Sequence, residues 1–300
     1  MENFPLPPTP SVSQLMRHLK KGKILRYKID IFSVIAVIVA VTTQFFAFWY
    51  RWPWYTLPLI IILMRTAHLA EHNHAHLSFF YNPFLNEFTG WLMFLNCGIP
   101  LQSYREQHIK VHHACFGTPK DWTSPWDYKG TDFPGRPINK YYYYASFMLL
   151  SILQCTVIYL RNPRGENTLK FTVSFIIVGM VMTALALHDL RSFLIFYGVP
   201  WIMTYIYLAI ASWGQHVNCE YDSIYTSAIN DLNPDSGLLG FNIGYHTAHH
   251  WHPGLHWSLL EEFHNTYCAP AMSPRYYAPP WFSRRIVQKI RDKLGRSVKK

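Results

Sequence analysis

The sequence predicts an all-α integral-membrane protein: four transmembrane helices, additional interfacial or re-entrant helices, and a cytoplasmic cap rich in histidine. Three observations predict it. Half of the 300 residues are apolar and only 15% are charged, against roughly 25% in an ordinary soluble domain. The apolar residues gather in four long runs, each close to the ~20 residues a helix needs to cross about 30 Å of hydrocarbon. The net charge of +10 is concentrated towards the two ends of the chain.

Taken in order, residues 1–30 form a proline-containing lead and a short basic amphipathic stretch with Arg17, Lys20, Lys21, Lys23, Arg26 and Lys28. The opening MENFPLPPTPSVSQL lacks the basic start and immediate apolar core of a cleavable signal peptide, so the first membrane helix is expected to be retained. Ile31 to Tyr50 is the first span. Arg51-Trp52-Pro53-Trp54 is an aromatic turn of the interfacial kind. A second span starts near Tyr55 and continues helically into HLAEHNHAH. Residues 85–102 are apolar but short and interrupted by Gly90, Gly98 and Pro100, which predicts a shallow or re-entrant segment. Two more spans follow at about 171–187 and 192–212, separated by His188-Asp189-Leu190-Arg191.

The segment 140–160, which opens Lys-Tyr-Tyr-Tyr-Tyr, is assigned by topology. Histidine clusters follow the second span, the 85–102 segment and the last span, and an even number of crossings must separate clusters that share a site. An interfacial 140–160 gives four spans and puts all three clusters on the side of the basic termini. Arg161, Arg164 and Lys170 then also face the cytoplasm, as positive charge flanking membrane helices prefers. The C-terminal Arg284, Arg285, Lys289, Arg291, Lys293, Arg296, Lys299 and Lys300 fit the same side and contact with anionic lipid. No base-reading module accompanies this charge, so nucleic acid is not an expected partner. The expected division is a basic N-terminal segment 1–30, a membrane domain 31–260 and a basic C-terminal segment 261–300. The five cysteines are scattered without a C-x-x-C pair, which argues against a disulfide framework or an iron–sulfur cluster and suits a reducing compartment.

The histidines carry the chemistry. HLAEHNHAH places His68, His72 and His76 at i, i+4 and i+8 on one helical face, with His74 turned away. HIKVHH contributes His108, His112 and His113; HTAHH contributes His246, His249 and His250; His216 stands alone in WGQHVN. Imidazole suits iron, copper and zinc, and this spacing lets one helix face offer two ligands to one metal. A single zinc takes about four ligands, so clusters of this size point to two metals. Isolated His18, His188 and His264 are read as ordinary hydrogen-bonded side chains, whereas three clusters at membrane-helix ends are costly to explain as packing.

In combination, H-x3-H, H-x3-HH and H-x2-HH, in this order and separated by apolar spans, resemble the three histidine boxes of the membrane fatty-acid desaturase and hydroxylase superfamily. HAHLSFFYNPFLNEFTGW resembles the first box with its trailing Phe, Asn and Gly, SYREQHIKVHH the second, and FNIGYHTAHHWHP the third with its closing proline. The resemblance covers about residues 60–260. It implies ligation by His72, His76, His108, His112, His113, His246, His249 and His250, with His216 where the superfamily often places one more ligand. Box one departs from the pattern in having four histidines, and Asn73 where an acidic residue commonly follows the first. His68 therefore stands as a replacement or supplement for His76, and His74 as a supporting partner. Glu106, Asn218 and Asn242, and beyond them Glu71, Asp121 and Asp127, are candidates for orienting the ligands.

The resemblance further implies two iron ions, dioxygen as co-substrate, a fatty acyl substrate and an external electron donor, a ferredoxin or a cytochrome b5-like protein. His252-Pro253-Gly254 resembles the haem-binding motif of cytochrome b5, but Leu255 replaces its second glycine. Desaturation leads among the expected outcomes. Hydroxylation, terminal-alkene-forming decarboxylation and carotenoid ring oxidation by ketolase or hydroxylase remain open, the last because Gly-Thr and Asp follow box two in HHACFGTPKDWTSP. A membrane metal-binding or transport protein without redox chemistry would instead carry ionisable groups within its spans, and H-E-x-x-H, the zinc-protease signature, is absent.

Overall fold

The computed structural model describes residues 6–127, 136–161, 165–233, 236–237 and 240–279. The fold is all-helical. The paired extended segments among the described residues, Trp126–Asp127 and Arg136–Pro137, are two residues long each. The chain divides into two compact units, one spanning Arg17–Val217 and the other combining Glu2–Met16 with Asn218–Lys300.

The first unit contains α1 (Ile31–Trp49), α2 (Leu57–His76), α3 (Pro83–Cys97), α4 (Leu101–Tyr104, continuing as a π-helix over Arg105–His113), α5 (Lys140–Arg161), α6 (Glu166–His188) and α7 (Leu190–His216). Among the described residues, three segments are long and apolar enough to cross a membrane: Lys28–Trp49, Asn167–His188 and Leu190–His216. They present large apolar side chains outward, among them Phe32, Met180 and, 84% exposed, Leu187. Such a surface is unfavourable in water and costs nothing in hydrocarbon, so the protein is a membrane protein. Neither α2 nor α5 is among the three. α2 is 20 residues long, but its C-terminal half carries Arg65, His68, Glu71, His72, His74 and His76, which lowers its apolar character.

Local chemistry sets the turns. α3 opens on Asn82, whose Oδ1 accepts from Phe84 N and Leu85 N at 2.8 and 3.3 Å, with Pro83 in the first turn. It closes on Gly98, whose φ of 78° is left-handed. A Cβ there would lie 2.5 Å from the Trp201 ring. The sequence predicts a break at Gly90 as well, yet the helix runs straight through it. Gly90 is a packing glycine: a Cβ would come within 2.9 Å of Leu101 Cδ2. At the α6–α7 corner, Asp189 accepts from Ser192 N and Ser192 Oγ at 3.1 and 2.9 Å and from Arg51 Nε at 2.8 Å. These hydrogen bonds hold its carboxyl down to about 2.

Ala47 and Phe48 of α1, Ile60 of α2, Phe94 of α3, Val178 and Met182 of α6, and Phe196 and Tyr197 of α7 form one buried cluster. A polar clasp crosses it: Gln44 Nε2 donates to the Phe196 carbonyl and Asn96 Nδ2 donates to Gln44 Oε1, both at 2.8 Å. A second cluster, Met64, Ala75, Cys97, Ile99, Leu101 and Tyr104, packs the C-terminal half of α2 against the α3–α4 junction. This is the packing that fixes the histidine-bearing ends of α2 and α4.

The second unit contains α8 (His246–Trp251), which is braced by Asn230, and α9 (Leu260–Phe263, continuing as a π-helix over His264–Cys268). Asn230 Oδ1 accepts from Thr247 N at 3.0 Å and its Nδ2 donates to Thr247 Oγ1 at 2.8 Å. Asn230 also bonds through its backbone to Tyr276 and Ala278. Gly244 lies so close to Asp231 that a Cβ would fall 1.8 Å from its carbonyl oxygen. Just before it, Phe241 and Asn242 both take left-handed φ, 51° and 58°.

Candidate metal centre

On α2, the α-helical repeat carries His72 and His76 to one face, one turn apart, with ring centroids 5.0 Å apart. His108 on α4 meets them: its centroid is 4.4 Å from that of His72 and 5.0 Å from that of His76. Ligating nitrogens of the three lie within 4.8 Å of one another.

Box two is split by its π-helical backbone. In an i→i+5 helix, residues five apart share a face, and His113 accordingly joins His108, Nε2 to Nε2, at 3.1 Å. Its ring also stands 4.7 Å from that of His76. His112 turns elsewhere, towards His216 at the end of α7, with centroids 4.8 Å apart. Spacing alone groups His108 with His112, so sequence reasoning missed this division.

Several rings are held from behind. Tyr104 Oη lies 3.0 Å from His72 Nδ1. Asp121 Oδ2 lies 2.9 Å from His112 Nδ1, and Asp121 is itself fixed by Thr123 N and by the Thr123 hydroxyl, at 3.0 and 2.6 Å. The His216 carbonyl accepts from Trp126 Nε1 at 3.3 Å. Carboxylate and hydroxyl partners of this kind set the tautomer and orientation of a metal-binding imidazole.

The remaining candidates of box one are occupied differently. His74 is fully buried, accepts from Phe79 N at Nδ1 (3.2 Å) and donates through Nε2 to the Asn86 carbonyl (3.2 Å). Both nitrogens thus serve the α2–α3 turn. His68 pairs through Nδ1 with Glu71 Oε2 at 3.1 Å and groups with Glu71 and Cys97. Glu106 is ion-paired with Lys110.

In the second unit, His246, His249 and His250 all project from α8 and are all buried. His246 and His250, one turn apart, face each other Nε2 to Nε2 at 3.1 Å, as His108 and His113 do. Two imidazole nitrogens at that distance must share a proton or a cation. Asn242 Nδ2 donates to the Trp257 carbonyl at 3.2 Å. Asn218 takes a left-handed turn, φ 61°. Asp127's side chain lies outside the described residues.

Tyr104, Asn230 and Gly244 act on the clusters without being singled out by the sequence. Tyr104 carried a signal in SYREQH, one helical turn before His108, whereas Asn230 lies 16 residues from the helix it braces. The histidine clusters are compatible with a metal site and suggest a metal centre.

The sequence model for fatty acid desaturases matches residues 46–284. No curated protein matches the chain.

Proposed function

The chain belongs to the fatty acid desaturase family, and from that premise we propose that it oxidises unactivated C–H bonds of a fatty acyl chain with dioxygen at a two-iron centre, the outcome being desaturation. The observation that carries this reading is the number and setting of the imidazoles. His72, His76, His108, His112, His113 and His216 gather in the first unit, and His246, His249 and His250 share one short helix in the second. Nine exceed what one four-ligand metal uses and suit two. Asp121 meets His112 from behind and Glu106 pairs with Lys110, so the donor set gathered at the boxes is nitrogen-rich.

When bound, the irons supply the activation of dioxygen and the oxidising power that the C–H bond demands, with electrons from an external donor. The chain's own residues orient the ligands. Tyr104 and Asp121 engage Nδ1 of His72 and His112, so ligation by these rings runs through Nε2. The apolar α2–α3–α4 cluster keeps water from the box-one and box-two side.

We read the membrane topology as four crossings, α1, α2, α6 and α7, with α3 and α5 not crossing. An even count puts the C-terminal ends of α2 and α7, box two and the basic termini on the cytoplasmic face. Exposed Lys20, Lys23 and Arg17 would then attract an acidic ferredoxin or cytochrome b5-like donor.

The test is expression of the full chain with a redox donor in a heterologous host, followed by gas chromatography–mass spectrometry of lipids and volatiles. New double bonds absent from a His249→Ala control are expected. Hydroxyls, terminal alkenes or ketocarotenoids would replace desaturation with the corresponding sibling reaction. Profiles identical to the control, together with purified protein holding no iron, would overturn the reading.

A further inference from the structure

The first unit buries a donor group outside the three boxes. His68 and Glu71 lie one turn apart on α2, and Cys97 ends α3. One ligating atom from each lies within 4.8 Å of the others. Exposures are 2%, 0% and 1%. Glu71 Oε2 sits 3.1 Å from His68 Nδ1 and 3.2 Å from Cys97 Sγ, whereas its Oε1 meets no hydrogen-bond partner. A carboxylate oxygen left unpaired at zero exposure is costly, more so on a helix that faces lipid. The observed spacings are close to the edges of a tetrahedral zinc shell, about 3.3–3.8 Å for bonds of about 2.0–2.3 Å.

We propose that His68 Nδ1, the Glu71 carboxylate and Cys97 Sγ form a binding site for one zinc ion, distinct from the histidine boxes. The charges balance. One carboxylate and one thiolate neutralise the divalent ion and the imidazole stays neutral, so the complex has no net charge in a low-dielectric interior. On binding, the Cys97 S–H bond breaks, a sulfur–zinc bond forms and the proton leaves to solvent. A thiolate beside an imidazole disfavours magnesium and calcium, and iron(II) competes less well than zinc at such donors. The ion joins the histidine-bearing part of α2 to the end of α3. It lies next to Tyr104, whose ring meets His68 edge-on at 5.2 Å and whose hydroxyl holds His72.

The proposal does not depend on the two-iron reading, and one sample separates them. Full-length protein is purified in detergent from zinc- and iron-supplemented cells, and both metals are counted by mass spectrometry. Cys97→Ala and Glu71→Gln are each expected to lose about one zinc per chain, and Cys97→Ala to keep its iron. Zinc K-edge X-ray absorption of the unaltered protein is expected to show one sulfur neighbour at about 2.3 Å, and it decides the matter even if a variant fails to fold. Wild-type protein without zinc, or with zinc that has no sulfur neighbour, would overturn the site. Absence of iron with the zinc–sulfur signal intact would overturn only the two-iron reading.

Discussion

At the scale of single residues, the centre is as much a matter of what stands behind each imidazole as of the imidazoles themselves. Asp121 accepts two hydrogen bonds from Thr123 and faces His112 Nδ1. Asp121→Asn keeps the shape but removes the negative charge and permits the wrong tautomer. Metal affinity should fall about 10–100-fold, read by competition with a chelator; an unchanged affinity would refute the orienting role. His264 illustrates the opposite case, an imidazole that serves packing. Its ring lies tilted against Tyr245, centroids 5.2 Å apart, it meets the Tyr277 hydroxyl at 3.1 Å, and its Nδ1 has no hydrogen-bond partner. Burial holds it down to about 4, against about 6.5 for an exposed histidine. Between those values the unfolded chain takes up a proton that the folded unit refuses. Its cost to stability is therefore absent above about pH 6.5 and grows as pH falls towards 4. His264→Phe should lose less melting temperature than wild type between about pH 7 and pH 5; parallel curves would contradict this. The sequence sets the isolated histidines apart from the clustered ones by spacing alone. Spacing turns His74 away from the face of His68, His72 and His76, but the carbonyl of Asn86 and the amide of Phe79 that occupy it come from a turn the spacing does not encode.

At the scale of elements, the periodicities that reveal helices also conceal how they differ. An α-helical reading of H-x3-HH pairs His108 with His112, whereas the π-helix over Arg105–His113 pairs His108 with His113 and sends His112 towards His216. π turns break the usual ladder for reasons of tertiary packing, so no local pattern announces them. Glycines behave similarly: Gly90 and Gly98 look alike in sequence, but one permits Leu101 to approach and the other ends a helix in left-handed geometry against Trp201. Gly98→Ala adds about 1–2 kcal/mol of backbone strain and an overpacking cost of about 1–3 kcal/mol. Thermal denaturation should show a loss of roughly 2–5 kcal/mol. A Trp201→Ala background should recover the steric part and leave the backbone part, and full additivity of the two losses would show that the ring is not the obstacle. The thiol of Cys97 escaped the sequence for a related reason. It lies 26 residues from Glu71 and in no cysteine motif, so only the packing of α3 on α2 brings them together.

At the scale of the whole molecule, composition and charge placement specified the membrane class and the helical fold, while the crossing of α2 depends on a compromise that composition obscures. A helix that carries ligands on its inner face cannot also be uniformly apolar, so the apolar criterion that finds α1, α6 and α7 passes over α2. Arg65 in that helix lies over the Tyr207 ring, 5.1 Å from its centroid, which offsets part of the cost of placing the charge at depth. The four-crossing topology requires the Arg51 turn and the Asp189–Arg191 corner to share the far side, and their direct ion pair at 2.8 Å is what that arrangement demands. It also requires Lys20 and Gly165 to lie together on the cytoplasmic side. Single cysteines at Lys20, Trp52, Gly165 and Arg191, introduced into a chain whose partly exposed Cys115 is replaced by Ser, should divide accordingly. A membrane-impermeant maleimide applied to intact cells should label the Trp52 and Arg191 positions and spare the other two. Labelling of Gly165 from outside, with Lys20 protected, would mean that α5 crosses and that an odd number of passages, α5, α6 and α7, separates the end of α2 from the end of α7. The end of α7 would then face away from the end of α2, and the six histidines of the first unit could not share one side.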